Sequence, residues 1–234
     1  MNLDRDHLKR AAAQRAVEFV ENGMIVGLGT GSTAGFVIEQ LASRVAGGLA
    51  VVAIPTSEHT AGLARQLAIP LASFAEYRRI DLAIDGADEV QRRTLDLIKG
   101  RGGALLREKI VAAASRRFIV VVDQEKLVDR LGEHMPVPVE VTQFGWQATA
   151  AALEKLGAGA ELRQEGGEPF VTDGGNFIID CHFGPIDDPQ RIERLTKMTV
   201  GVVESGLFIG RSSVVIVATD KGTDILTGTG GKLA

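Results

Sequence analysis

Apolar and polar positions change period several times along the chain, and each change marks an element. Leu8, Ala12, Val17 and Val20 fall on or near one helical face, with Gly23 of "ENG" placed to end that helix. "MIVGL" (24–28) is a short unbroken apolar run bounded by glycines, the pattern of a strand buried on both faces. "GTGST" turns the chain, and Phe36, Val37, Leu41 and Val45 mark the next helix. "LAVVAI" (49–54), "IDLAI" (80–84) and "FIVVV" (118–122) repeat the strand pattern. Helices are expected through Leu67 and over 104–115. Strands alternating with helices predict a mostly parallel sheet covered on both faces.

The pattern changes near Asp129. "HMPVPVEV" carries two prolines, which suits a crossing or edge strand better than a central one. A helix follows from Phe144 to Leu156, then a strand near Ala160–Arg163. "PFVTDGGNFIIDCHF" reads as strand, Asp-Gly-Gly turn and strand, a hairpin. "DDPQRIERLTKM" begins a helix with Asp caps and an early Pro189. "VGVVESGLF" and "SSVVIVA" read as closing strands, and the Gly/Thr-rich tail "GTDILTGTGGKLA" as frayed. The expected division is a Rossmann-like α/β domain of residues 1–128 plus 205–234, with a smaller α+β domain of 129–204 inserted in it.

Composition narrows the partners. The net charge of −4 argues against nucleic acid or an anionic membrane, so an anionic substrate must be held by a few local donors. A single cysteine, Cys181, rules out an internal disulfide framework and any multi-cysteine zinc site, and points to the reducing cytosol. No run approaches the ~18 apolar residues of a membrane span. The expectation is a cytoplasmic protein.

In a parallel sheet, ligands bind outside the carboxyl ends of the strands. Three polar, glycine-bearing turns fall at such ends: Gly29–Thr33, Asp85–Glu89 and Lys99–Gly103. Their convergence on one crevice is the central expectation. "GTGST" opens a helix, so its amides favour an anion and Ser32 and Thr33 add hydroxyl donors; the alternative is a capped strand-to-helix turn. A phosphate monoester suits it better than a dinucleotide, because Pro55 stands where an acidic residue would end the second strand. "DGADE" sets Asp85 and Asp88 three residues apart across a turn, for one small polar ligand, an Asx-turn or a Mg²⁺ ion. Glu108 has Ala104, Leu105, Val111 and Ala112 as its helical neighbours, none cationic. That face predicts partial burial, which raises a carboxylate's pKa toward that of a general base. The competing possibility is a solvated Glu between Arg107 and Lys109. Lys99 is placed to balance an oxyanion, and Lys126 to reach an anion or to lie solvated.

The chain resembles the type A ribose-5-phosphate isomerase family of the pentose phosphate pathway. The resemblance runs through "LKRAAA", "IVGLGTGSTA", "DLAIDGADEV", "IKGRGGALLREKIVAAAS", "FIVVVDQEKLV", "PVPVEV", "VTDGGNFIIDC" and "GLF". It implies a Rossmann-like domain with a ferredoxin-like one, a homodimer or homotetramer, and neither metal nor cofactor. It also implies catalytic Glu108, Asp85, Asp88 and Lys99. Sugar-phosphate contacts would come from Thr30, Gly31, Ser32 and Thr33, from Asp85, Gly86, Ala87 and Asp88, from Lys99, Gly100, Arg101 and Gly102, and from Lys126. Two departures stand out: Arg101 replaces a loop glycine, and Glu125 stands where the family has Ser. The implied reaction interconverts ribose 5-phosphate and ribulose 5-phosphate through a cis-enediolate. Two other readings are a sugar-phosphate-sensing regulator, which would carry a helix-turn-helix, and a deaminase or lactonase with its base on another turn.

Overall fold

The computed structural model describes residues 2–228, with side chains from Asp6 onward. The chain begins α1 (Asn2–Val17), β1 (Ile25–Leu28), α2 (Ser32–Ala46), β2 (Val52–Pro55), α3 (Glu58–Gln66) and β3 (Ile80–Asp85). It continues β4 (Glu89–Gln91), β5 (Leu97–Ile98), α4 (Leu105–Ala114), β6 (Ser115–Asp123), β7 (Leu127–Val128) and β8 (Val137–Val141). Then come α5 (Trp146–Glu154), β9 (Gly159–Leu162), β10 (Gln164–Glu165), β11 (Glu168–Pro169), β12 (Phe177–His182) and α6 (Pro189–Lys197). The described chain closes with β13 (Val202–Ser205), β14 (Leu207–Phe208), β15 (Val214–Thr219) and β16 (Gly222–Thr227). The described residues fall into two compact units: 2–87, 107–126 and 211–228 form the first, and 88–106 with 127–210 the second.

The first unit is built on a six-stranded sheet ordered β16-β15-β6-β3-β1-β2, parallel except for β16. Alternate strand residues Val26, Leu28, Leu82, Ile84, Ile119, Val121, Val214 and Ile216 join one buried cluster with Ala12, Ala13 and Ala16 of α1 and with Val37, Ile38 and Leu41 of α2. The period of two in the strands meets the helical period of α1 and α2 on that face. On the opposite face β1 and β3 offer the small residues Gly27 and Ala83, and α4 comes close there: a Cβ on Gly27 would overlap Val111 of α4 and Ala83 of β3. The tail expected to fray instead forms β16, paired residue for residue with β15 from Val214↔Thr227 to Thr219↔Gly222. Its polar composition hid it, because an edge strand exposed to water needs only a partner's backbone; residues 229–234 of that segment lie outside the described residues.

The second unit holds the topology β8-α5-β9-β12-α6-β13, closed into an antiparallel sheet ordered β13-β8-β12-β9. This is the split βαβ arrangement of ferredoxin-like folds. Val137, Val139 and Val141 of β8 pack with Leu153, Ile179 and Cys181 in its core. Asp188 caps α6 by accepting the Arg191 N–H at 2.9 Å, and Pro189 stands in the first turn, as its residues predict.

Two expectations fail here. β8 is central, not an edge, although Pro138 lies in it. Pro138 faces Gly206, just past the end of β13: its carbonyl accepts from Gly206 at 2.6 Å, and the Gly206 carbonyl accepts from Lys99 at 2.9 Å, so that carbonyl needs no N–H from the proline. The hairpin across Asp173-Gly174-Gly175 does not form either. β12 is paired on both sides, by β8 and β9, which leaves no edge for residues 170–172. Those residues close a tight turn instead, with Thr172 N–H donating to Asn176 O at 2.9 Å. The short hairpin lies earlier, β10 with β11 across Gly166–Gly167.

Candidate active site

The carboxyl edge of the parallel sheet places the first unit's polar turns side by side. β1 pairs with β2 on one side and β3 on the other, so the chain reverses its winding between β1 and β3. Such a switch point opens a crevice at the strand ends. "GTGST" leaves β1 there, and Asp85, Gly86 and Ala87 leave β3 beside it.

These two turns are fitted to each other. Asp85 is buried, and its Oδ1 accepts the N–H groups of Gly86 at 2.7 Å and Thr30 at 3.2 Å. A Cβ on Gly29 would overlap that carboxylate, so only glycine lets the first turn approach the second. The solvated Asx-turn considered from sequence is thereby excluded for Asp85. Gly86 faces Thr33 across the same gap. The Thr30 hydroxyl lies 2.7 Å from that of Thr56, 2.9 Å from Ser57 and 3.1 Å from Thr60. Thr56 and Thr60 in turn donate to the carbonyls of Leu28 and Gly29, at 3.0 and 2.9 Å. The Thr30 side chain therefore ties the turn to the end of β2 and the start of α3. Gly31 and Ser32 are exposed at the N-terminus of α2, where the helix amides point outward. Lys9 of α1 brings a cation there, its Nζ 3.3 Å from Ser32 Oγ.

Glu108 stands in the first turn of α4 and is buried, 4% exposed. Val111, packed at Gly27 in the body of β1, lies three residues further into the helix. α4 feeds directly into β6, so its first turn lies toward the carboxyl ends of the strands, about 4.5 Å beyond Val111 along the axis. Arg107 turns away to pair with Glu58 at 2.9 Å, and Lys109 is itself buried. The solvated alternative for Glu108 is thereby excluded. Lys126 is half-buried in a 3-10 turn after β6, on the same edge, while Glu125 beside it is exposed.

The second unit carries Asp88 and the glycine loop. Lys99 follows β5, is 2% exposed, and its Nζ lies 5.6 Å from the Phe208 ring centroid. Its N–H donates to Gly206 O at 2.9 Å, where β14 flanks β5. Gly100 has φ +109°, and a Cβ there would press on Leu105. Arg101 needs no such freedom. Its side chain is exposed, and its N–H donates to Asp88 Oδ2 at 2.9 Å, so an arginine fits where the family commonly has glycine. Gly102 is exposed beside it.

Glu89, next to Asp88, is a carboxylate of another kind. It is buried and accepts backbone N–H groups from Gly132, His134 and Met135 at 2.6, 2.7 and 2.9 Å. Among the described residues, no three His, Cys, Asp or Glu side chains gather to hold a metal ion. No helix there is long and apolar enough to cross a membrane. Sequence reasoning passed over Thr56, Ser57, Thr60, Lys9 and Phe208. The polar triplet straight after a buried strand, "PTSEHT", was the signal for the first three.

A doubly wound sheet with a glycine turn, buried carboxylates and an exposed helix N-terminus at its switch point defines a Rossmann-like enzyme of small anionic substrates. Comparison with known proteins gives the particular family. Residues 52–222 match ribose 5-phosphate isomerase A (phosphoriboisomerase A), and the chain belongs to that family. It is 60% identical to ribose-5-phosphate isomerase A of Gloeobacter violaceus, over 96% of this chain and 98% of that one. The corresponding protein of Gluconobacter oxydans is 56% identical, over 92% and 94%. Among solved structures, ribose 5-phosphate isomerase A of Methanocaldococcus jannaschii superposes with TM-score 0.91 at 43% identity, covering 94% of this chain and 98% of that one. A D-ribose-5-phosphate isomerase in complex with phospho-erythronic acid superposes with TM-score 0.92, also at 43% identity, covering 95% and 99%.

Proposed function

We propose that this chain interconverts D-ribose 5-phosphate and D-ribulose 5-phosphate by moving one proton between C2 and C1 through a cis-enediolate. The observation that carries the mechanism is Glu108, buried in the first turn of α4 at the carboxyl edge of the sheet. Its carboxylate takes the C2 proton of the open-chain aldose, leaving the enediolate, and returns it to C1 of the ketose. Lys99 offsets the charge that develops on the enediolate oxygen. Asp85 and Asp88 hold the hydroxyl groups and relay their protons, both the one that passes from O2 to O1 across the enediolate and those moved in opening the furanose ring. The α2 N-terminus, with Gly31, Ser32, Thr33 and Lys126, anchors the phosphate, so remote binding energy positions the reacting carbons. Thr30 supports that turn through its hydroxyl contacts, and Gly86, Ala87, Gly100, Arg101 and Gly102 shape the backbone around the sugar.

Phospho-erythronic acid, held by a related isomerase, supports the reading. It combines a phosphate with a carboxylate that matches the planar, anionic enediolate. The reaction needs no electron acceptor, and the enzyme is proposed to use neither metal nor organic cofactor. Its place is the non-oxidative branch of the pentose phosphate pathway in the cytoplasm, as a homodimer or homotetramer. Phe144 (96% exposed) and Val200 (91% exposed) sit on loops joined by the Thr142 N–H to Gly201 O bond, and they favour burial against a second copy.

The test is incubation of purified protein with ribose 5-phosphate in D₂O, with chelator present. Ketose carrying deuterium at C1 is expected. Absence of turnover would sink the reading.

A further inference from the structure

Arg163 follows β9 in the second unit, 62 residues from Arg101 in sequence, and nothing local marks it as functional. Its side chain is 15% exposed and forms a two-point pair with Asp180 of β12: Nε to Oδ2 at 2.9 Å and Nη2 to Oδ1 at 2.5 Å. The remaining terminal nitrogen, Nη1, donates to the carbonyls of Gly100 at 2.8 Å and Arg101 at 3.0 Å. A largely shielded guanidinium is thus spent on two consecutive carbonyls of the glycine loop. The other side of the same loop is held by Asp88, which accepts the Arg101 N–H.

We infer that Arg163, oriented by Asp180, is the positioning residue of the Lys99–Gly102 loop and sets the placement of both Lys99 and Asp88. The inference rests on the function proposed above. The chemistry calls for arginine. Five N–H donors in a rigid plane let one edge grip a carboxylate while the far nitrogen spans two carbonyls; an ammonium has no such fork. The loop needs an outside hold, because Gly100 at φ +109° gives it little stiffness of its own. Arg163 is itself held: its N–H donates to Ile178 O and its carbonyl accepts from Phe170, both at 2.9 Å. The chain of command runs from the β9–β12 pairing through the guanidinium to the peptide directly after Lys99.

A cavity of about 200 Å³ lined by Asp88, Arg101, Pro138, Arg163 and Asp180 adjoins the clamp, and it supplies the means of testing it. In Arg163→Ala the deleted head group leaves room for guanidinium ion from solution. Arg163→Ala is expected to lower kcat about 10²-fold, as a misplaced group does. Sub-denaturing guanidinium should restore much of that loss, and equal concentrations of sodium chloride or urea should not. Arg163→Lys should keep the thermal midpoint near wild type yet recover little kcat, and Asp180→Asn should give a smaller loss of the same kind. Hydrogen exchange gives a readout independent of turnover: amides of Gly100–Gly103 should exchange faster in Arg163→Ala while those of β9 and β12 stay protected. Unchanged loop exchange with wild-type kcat in Arg163→Ala would overturn the inference. So would a loss of activity that tracks the thermal midpoint and ignores guanidinium. Wild-type protein that turns over no ribose 5-phosphate, but whose loop loosens on Arg163→Ala, would sink the functional reading and leave the clamp standing.

Discussion

Buried carboxylates occur in both units, and they serve different ends. In the second unit Glu89 is ringed by three backbone N–H groups, and Glu140 accepts from the Thr172 hydroxyl and the Asn176 amide, both at 2.9 Å. Each ties a loop to a strand, using charge-assisted hydrogen bonds as local staples. In the first unit Glu108 and Asp85 are buried at the open edge of a parallel sheet, beside a helix N-terminus. The former kind fixes the chain; the latter is the kind proposed to meet the substrate, although Asp85 also ties the Thr30 turn to Gly86. Burial alone does not separate them, whereas position relative to the strand ends does.

The largest effect that could break this contrast is at Glu108. Glu108→Gln keeps shape and removes the base, so kcat should fall by about 10³-fold, within the range general-base catalysis supplies, while the thermal midpoint stays put. A variant with near-normal kcat would put the base elsewhere. Glu89→Ala should do the reverse. Losing the charged acceptor shared by three backbone N–H groups should cost about 3 kcal/mol in urea unfolding, and the remaining activity should follow the folded fraction. If Glu89→Ala is as stable as wild type, the staple reading of that carboxylate fails.

A smaller effect concerns Lys99, whose ammonium lies over the Phe208 ring. Phe208→Leu keeps an apolar side chain and removes the ring, so about 1 kcal/mol of cation–π attraction should be lost, roughly fivefold in kcat/KM. Phe208→Tyr should retain it. Smallest is Cys181, whose thiol is pushed up to about 12, first by burial and then by the nearby Asp180 charge. A group that holds its proton more tightly when folded contributes stability that is complete below the ordinary thiol value of 9.0. That contribution falls as pH rises above it and is gone beyond about 12. Urea midpoints should therefore decline more steeply above pH 9 in wild type than in Cys181→Ala. Native protein should also resist thiol alkylation at pH 8.

Much of this was legible along the chain, for a definite reason. Strands of a parallel sheet are covered on both faces, so "MIVGL", "IDLAI" and "FIVVV" stand out as unbroken apolar runs. The loops after them carry polar residues and glycines that no buried segment would tolerate. Glu108 was marked by apolar helical neighbours, and it is more deeply buried than the partial burial they imply. Errors arose where pairing decides. β16 is polar and exists because β15 offers a backbone edge. Pro138 entered a central strand because its position needs no N–H there. The Asp173–Gly175 hairpin lost its strand because β12 was already paired on both sides.

The sequence by itself determined the alternation of strands and helices, the glycine turns at the strand ends, the identity of the carboxylate on α4, and the family. These depend on local period and on residues within a few positions of one another. Only the tertiary structure decided which hydroxyls hold Thr30, why Arg101 is compatible with its loop, and that Arg163 grips the carbonyls beside Lys99. Those contacts join residues tens of positions apart, and their free energy depends on distances and angles between elements, which no local pattern of residues encodes.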